Sequence, residues 1–288
     1  MTNRRYMLGD EWVYLKIYSG PSILEFILTN EIREAVNIFI NRNIIDKFFF
    51  IRYSDIDGSH LRVRFRLIGE ESVIEVLQVL NLLLKKYVEK RVINKVVYDT
   101  YNQEIERYGS QNIEHVETIF NISSEFIISN LWRTLEEGGG ENRWVWGPIF
   151  IDNLFNQFGL ETFDKSRIYQ EYYKLYEKEF NLNKLDKKQM ALKYRKISPS
   201  IFFALQENEL FSKSQPNSKL ELAVSGIQEN YLNGVSQKVS KDQLYMSIMH
   251  MHYNRLFKSQ QRLQELVMYF IMSKVYKTIE VKNKESVC

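Results

Sequence analysis

Eight consecutive residues, His60-Leu61-Arg62-Val63-Arg64-Phe65-Arg66-Leu67, alternate polar and apolar side chains without a break. Only a strand sends successive side chains to opposite faces, so the run predicts His60, Arg62, Arg64 and Arg66 in one row and Leu61, Val63, Phe65 and Leu67 behind them in a core. Three arginines in register repel one another. Two readings of the row stay open: a solvated basic face neutralised by nearby acids, or a site for a carboxylate or phosphate. The rigid guanidinium fork binds such anions through two hydrogen bonds.

The segments around this strand supply partners for it. Glu11 to Tyr18 alternates in the same way, and Phe48 to Tyr53 is aromatic and β-branched. The polar stretch Ser54 to Ser59 between two strand signals reads as a hairpin turn. Ser22 is an N-cap candidate for a helix reaching about Asn41. A second helix is predicted from about Ser72 to Tyr87, then a strand near Val92 to Tyr101. Beyond residue 110 strand signals fade. Ile113 to Glu137 has helical spacing and stops at Gly138-Gly139-Gly140. About five further helical segments follow, with breaks near Gly159, Asn181 to Asn183, Ser212 to Ser218 and Asn233 to Ser236. Residues 138 to 142 and 212 to 218 read as the most mobile loops. Asp164 to Lys188, rich in Tyr, Lys and Glu, reads as a solvated helix with an aromatic seam. The expectation is an α+β fold in one domain spanning residues 1–288. It has an antiparallel sheet with packed helices in residues 1–110 and a mainly helical part in 111–288.

Composition narrows the function classes. The chain carries 39 basic and 36 acidic side chains, a net +3 that predicts no particular partner by itself. Its single cysteine, Cys288, permits neither an intrachain disulfide nor a cysteine metal cluster, so a reducing compartment is expected. The N-terminal residues lack a signal-peptide core and the longest apolar runs are far too short to span a bilayer. A cytoplasmic protein without membrane association is the expectation. Four histidines are present without a His-Glu-x-x-His pattern, and no glycine-rich phosphate loop occurs. No metal or cofactor is expected, and no direct nucleic-acid contact.

Two further segments could carry chemistry. Tyr101-Asn102-Gln103-Glu104-Ile105-Glu106-Arg107-Tyr108-Gly109 reads most simply as a strand end running into structural salt bridges. In Met249-His250-Met251-His252-Tyr253-Asn254-Arg255-Leu256, His250 and Asn254 share a helix face and His252 points away. A helical histidine is more often a packed boundary residue than a catalyst. Its titration near neutral pH still makes it the best acid–base candidate here.

Taken in order, Trp12 to Tyr18, Phe50 to Asp55, His60 to Phe65, Tyr101 with Glu104, Glu106 to Gly109, Glu117 with Phe120, and His250 to Leu256 resemble the lantibiotic dehydratase C-terminal family, also called the thiopeptide-type bacteriocin biosynthesis domain. The resemblance runs from about residue 11 to 275. Ser110 stands where the family often has a second glycine, and Ser123 where it often has an acid. It implies a lyase of lanthipeptide maturation, acting as a free-standing chain on a precursor peptide made of a leader and a glutamylated core. The implied step removes glutamate from glutamylated Ser or Thr to leave dehydroalanine or dehydrobutyrine. A separate glutamyl-tRNA-dependent protein would add the glutamate, and a homodimer is expected because relatives often dimerise. On this resemblance Arg62, Arg64 and Arg107 would hold the glutamyl carboxylates and His250 would move the proton, with Arg52, His60, Arg66, Tyr108 and Asn254 as substrate-binding neighbours. Two rival readings remain. One is a thiopeptide-type [4+2] cyclase that joins dehydroalanines into a ring. The other is a non-catalytic subunit that captures the leader by strand addition at a sheet edge.

Overall fold

The computed structural model describes residues 4–136, 142–214, 218–234 and 238–285. The glycines 138–140 and Cys288 lie outside them, as do 215–217 of the second expected loop; residues 212–214 and 218 belong to helices. Two compact units, Met1–Gly138 and Gly139–Cys288, make up the chain, and each is described by itself.

The first unit is built on a four-stranded antiparallel sheet. Its strands are β2 (Trp12–Tyr18), β3 (Ile45–Asp55), β4 (Gly58–Leu67) and β5 (Lys95–Tyr98), in the order β3-β4-β2-β5. Beside it, β1 (Arg5–Tyr6) pairs with β6 (Tyr101–Asn102). The hairpin between β3 and β4 is tighter than the six-residue turn predicted. Ser54 still pairs with Ser59 and Asp55 with Gly58, leaving Ile56 and Asp57 at the tip. The Asp55 carboxylate accepts the Asp57 N–H, and Gly58 takes φ +111°, a region closed to most side chains. Polar residues misled the prediction because the last rungs of this hairpin are solvated.

The alternation works as expected. Val13, Leu15, Ile17, Phe50, Leu61, Val63 and Phe65 are fully buried. Over them runs a helical stretch of α1 (Pro21–Ile27), a π-helical turn (Leu28–Ile32) and α2 (Arg33–Asn41), with Phe39 packed edge-on against Phe65. The helix begins two residues earlier than the sequence suggested. Gly20 is the cap and Pro21 sits at the first position, where a missing N–H is harmless. Helix α3 (Val73–Glu89) packs against α2, and a single turn, α4 (Ile105–Tyr108), leads to α5 (Ile113–Glu136).

Helix α5 lies along β3, an edge strand with backbone groups that would otherwise invite another chain. The Asn121 side-chain oxygen accepts the Phe48 N–H at 2.7 Å, and the Ser124 hydroxyl accepts that of Phe50 at 3.3 Å. At these two rungs the edge is already paired, so a leader peptide finds no donors there.

The second unit is helical among its described residues: α6 (Arg143–Gln157), α7 (Thr162–Glu179), α8 (Lys184–Ser214), α9 (Ser218–Leu232), α10 (Lys241–Leu256) and α11 (Gln261–Glu285). One more helix is present than expected, because the break at Phe257–Gln260, where Gln260 takes φ +50°, gave no glycine or proline signal. The aromatic seam of the Tyr-rich stretch is the buried side of α7, whose remaining face carries exposed positions. Tyr169, Tyr172 and Tyr176 of α7 meet Tyr253 of α10 and Tyr269 and Tyr276 of α11. A capping box between Ser240 and Gln243 starts α10 and fixes the phase of its histidines.

Replacing Asn121 by Ala should leave the Phe48 N–H buried and unanswered, at a cost of about 1–3 kcal/mol. Urea unfolding of the two proteins measures it, and equal stabilities would show that the α5 side chain does not secure this edge.

Candidate functional site

Pairing to β2 on one side and β3 on the other fixes what surrounds the basic row. Arg64 lies opposite Tyr14 and Phe49, Arg62 opposite Lys16 and Ile51, and His60 opposite Tyr18 and Tyr53. All share one face of the sheet. The row is not a uniform solvated surface: His60 is fully buried and Arg64 only 7% exposed.

Each cation of the row has a different fate. Arg66 meets three carboxylates, those of Glu11, Asp46 and Glu114, so its charge is neutralised locally. Arg62 and Arg64 have no carboxylate in ion-pair range among the described residues. The Arg62 guanidinium lies 3.6 Å from the centre of the Tyr53 ring, and its Nε donates to His60 Nε2 at 3.1 Å. That contact requires the tautomer in which His60 Nδ1 carries the proton, donated to the Gly58 carbonyl at 3.2 Å. Burial holds the His60 imidazole below its usual pKa, and Arg62 pushes the same way. A neutral His60 thus keeps the lone pair that positions Arg62.

Arg64 is the unusual group. Its guanidinium carbon lies 4.4, 4.9 and 5.1 Å from the ring centres of Tyr14, Tyr101 and Phe49. Such rings attract a cation but offer no hydrogen-bond acceptor in their planes. The Nε and Nη1 atoms are buried without a hydrogen-bond partner. Buried donors of a charged group are seldom left so in native proteins.

One wall of this cage is held by a buried acid. The Tyr101 hydroxyl donates to Glu117 Oε1 at 2.6 Å, and Gln103 donates to the same oxygen at 2.9 Å. Burial raises the Glu117 carboxyl above its usual pKa, while the Tyr101 and Gln103 donors act against that rise. Phe49 is backed by Phe120 of α5, which also packs against Tyr108.

Arg107 stands on α4, half-exposed and 3.4 Å from Glu104, and Glu106 pairs with Arg4. Local salt bridges therefore occur where the sequence suggested them. Tyr108 is buried and Gly109 ends the turn at φ +84°. Arg52 is separated from the row. It lies opposite Leu61 and so projects to the other face, where it pairs with Glu25 of α1 at 3.1 Å. Adjacency in a motif hid this, since the period of two puts Arg52 and Tyr53 on opposite sides.

In the second unit the two histidines of α10 differ completely. His252 is buried, stacks on Phe150 at 4.8 Å and donates from Nε2 to the Gly147 carbonyl at 2.9 Å. Burial pushes its pKa from the ordinary 6.5 down to about 3. The His250 side chain keeps 22% exposure, and its Nδ1 lies 2.8 Å from Oε1 of the buried Glu265 on α11. Its Nε2 has no hydrogen-bond partner among the described residues. Asn254, one turn on, is half-buried. Sequence reasoning missed Glu265 and the cage rings Tyr14 and Phe49, none of which carries a signal before strand register and helix packing are known. Among the described residues no His, Cys, Asp and Glu cluster is arranged to hold a metal ion, and no helix is long and apolar enough to cross a membrane.

The family described as lantibiotic biosynthesis dehydratase C-term matches residues 12–276. Nisin biosynthesis protein NisB of Lactococcus lactis subsp. lactis is 25% identical over 271 residues, covering 90% of this chain and 25% of that protein. Subtilin biosynthesis protein SpaB of Bacillus subtilis is 25% identical over 288 residues, covering 96% and 26%. The chain thus spans about a quarter of the length of these relatives. The tRNA-dependent lantibiotic dehydratase MibB from Microbispora sp. 107891 superposes with a TM-score of 0.70 at 22% identity, over 96% of this chain and 29% of that one. TsrL gives 0.62 at 14% identity, over 93% and 95%. TbtD, a pyridine synthase from thiomuracin biosynthesis, gives 0.59 at 12%, over 93% and 100%. At these identities the structural likeness is one of fold.

His252 is neutral when folded, so it adds nothing to pH dependence above about pH 6.5. As pH falls below that value the unfolded chain takes up its proton and the folded one does not, so stability declines. A His252→Gln variant, able to keep the bond to Gly147, should show a shallower loss of unfolding free energy between about pH 7 and about pH 4. Parallel curves for the two proteins would contradict a buried neutral His252.

Proposed function

Because the chain belongs to the lantibiotic biosynthesis dehydratase C-terminal family, we propose that it eliminates glutamate from glutamylated Ser or Thr of a ribosomally made precursor peptide. The product is dehydroalanine or dehydrobutyrine. The observation that carries this reading is Arg64, a buried guanidinium with two unanswered N–H donors inside an aromatic cage. A glutamyl ester brings a free carboxylate and releases a second one in the reaction, the anion chemistry those donors suit.

The chemistry assigns a role to each residue. A base removes the α-proton of the esterified residue, the C–H electrons form the Cα=Cβ bond, and the Cβ–O bond breaks so that glutamate leaves with that electron pair. Negative charge develops on the departing carboxylate. Arg62 and Arg64, already fixed by Tyr53, His60 and the cage rings, need little reorganisation to meet it, and so favour the transition state over the ground state. Arg107, paired at the surface with Glu104 and lying beside the Tyr108 ring, would turn to a second carboxylate. His250, with Nδ1 tied to Glu265, presents Nε2 as the proton-transfer atom. Arg52 and Arg66 support the sheet through their own carboxylate partners. The substrate must arrive glutamylated, so a glutamyl-tRNA-dependent acyl transfer to the same peptide precedes this step.

The fold likeness to the pyridine synthase TbtD over the whole of that chain favours ring formation between dehydroalanines as the second reading. Cycloaddition releases no carboxylate at the reacting atoms, so it leaves the Arg64 donors without a task.

Mass spectrometry of a glutamylated-serine peptide incubated with the protein tests the proposal. The expected product is one dehydroalanine per glutamate lost. Arg64→Met should slow it by about 10²-fold or more, with the unfolding midpoint unchanged or raised, since an unpaired buried charge is removed. An intact ester in the presence of folded wild-type protein would overturn elimination, and ring formation on a dehydrated peptide would then support the second reading.

A further inference from the structure

We propose that Glu265 is the positioning residue of His250, fixing its tautomer so that Nε2 is the basic atom. In its kinetic part this rests on the elimination reading above. The Glu265 carboxylate is fully buried between three helices, and each of them aims a donor at it. From α10 comes His250 Nδ1, 2.8 Å from Oε1. From α11, one turn beyond Glu265, the Tyr269 hydroxyl donates to the same oxygen. From α7 the Tyr176 hydroxyl donates to Oε2 at 2.9 Å. Tyr176 is itself held by Arg262, which pairs with Glu179 at the surface.

A buried carboxylate is expensive unless its lone pairs are answered. The surrounding seam of Tyr172, Tyr253 and Tyr269 shows that this core packs well on aromatic rings, so packing alone gives no reason for an acid here. The phenols are dependable donors. Burial first, and the Glu265 charge second, keep both Tyr176 and Tyr269 protonated far above the ordinary tyrosine range. With two donors fixed, His250 completes the shell.

The consequence for the ring is specific. A neutral imidazole has one N–H and one lone pair, and the partner of one nitrogen decides which nitrogen is which. Donation from Nδ1 to Glu265 leaves the lone pair on Nε2 of a side chain that keeps 22% exposure. When Nε2 takes a proton, the bond from Nδ1 to the carboxylate keeps the ring in place. His252, two residues on, is set the opposite way, with Nε2 as donor to the Gly147 carbonyl. The same helix therefore carries both tautomers, each dictated by its acceptor.

Two measurements test the proposal, and the first needs no substrate. Long-range nitrogen–proton NMR of the ring nitrogens should find His250 protonated at Nδ1 and His252 at Nε2. An Nε2-protonated neutral His250 would overturn the proposal whatever the activity. In the second, Glu265→Gln should lower kcat on the glutamylated peptide by about 10²-fold or more with KM little changed, and Glu265→Asp should recover part of the loss. Full kcat in Glu265→Gln would also overturn it. Should that variant not fold, Tyr176→Phe, which removes one donor from Glu265, is expected to lower kcat more modestly, and an unchanged kcat counts against the role. An inactive wild type with the expected His250 tautomer would sink elimination while leaving the Glu265 geometry supported.

Discussion

The register of β4 between β2 and β3 is the constraint on which the first unit depends. It places Phe65, Val63 and Leu61 under α1 and α2, and Arg64, Arg62 and His60 on the opposite face. A slip of one residue would exchange the two sets. Arginines would then enter the apolar layer against Phe39, and the phenylalanine would lie among Tyr14, Phe49 and Tyr101. Both faces therefore hold the same register, one by apolar burial and the other by cation–ring contacts. The bond from Asn121 to the Phe48 backbone adds a third hold at the edge.

Much of this was readable in the residues, and the failures share a cause. The alternation of residues 60–67 predicts both faces correctly, because period two is a local property. What stands opposite each arginine is not local. Tyr14 becomes a cage wall only once the long stretch of chain between it and Arg64 has been threaded into an antiparallel order, and Phe49 only once the hairpin register is set. Arg52 shows the converse: its neighbours in sequence belong to the row, yet its side chain belongs to the other face. In α10 the helical phase rightly separates His250 from His252. Which of them is buried is decided by the Gly147 carbonyl on α6 and Glu265 on α11, neither of which helical phase can show. The extra break at Phe257–Gln260 escaped notice because its positive φ falls on glutamine rather than glycine.

Arg64 and Glu265 are two answers to one electrostatic problem. Each is a charged group removed from water, which costs several kcal/mol unless it is compensated. Glu265 is compensated fully, by three donors on two oxygens. Arg64 is compensated in part. Three rings at 4.4–5.1 Å each return about 0.5–2 kcal/mol, but leave Nε and Nη1 unanswered. A fully compensated charge rigidifies its surroundings. A partly compensated one retains affinity for whatever supplies the missing acceptors.

That difference bears on how one fold serves different reactions. The backbone superposes on a lantibiotic dehydratase and on a pyridine synthase alike, so the fold alone cannot separate loss of an anion from ring closure. Under the proposed function that distinction falls to the side chains. Elimination needs donors where charge appears and a base with a defined lone pair, and it gains most when neither has to be rearranged during the step. On the proposed reading those needs fall to Arg64 in its ring cage and Arg62 beside His60 in the first unit, and in the second to a histidine bonded to a buried acid. For a reaction that expels no anion, the unanswered Arg64 donors would remain only a cost to stability, and apolar packing against Tyr14, Phe49 and Tyr101 would serve the fold better.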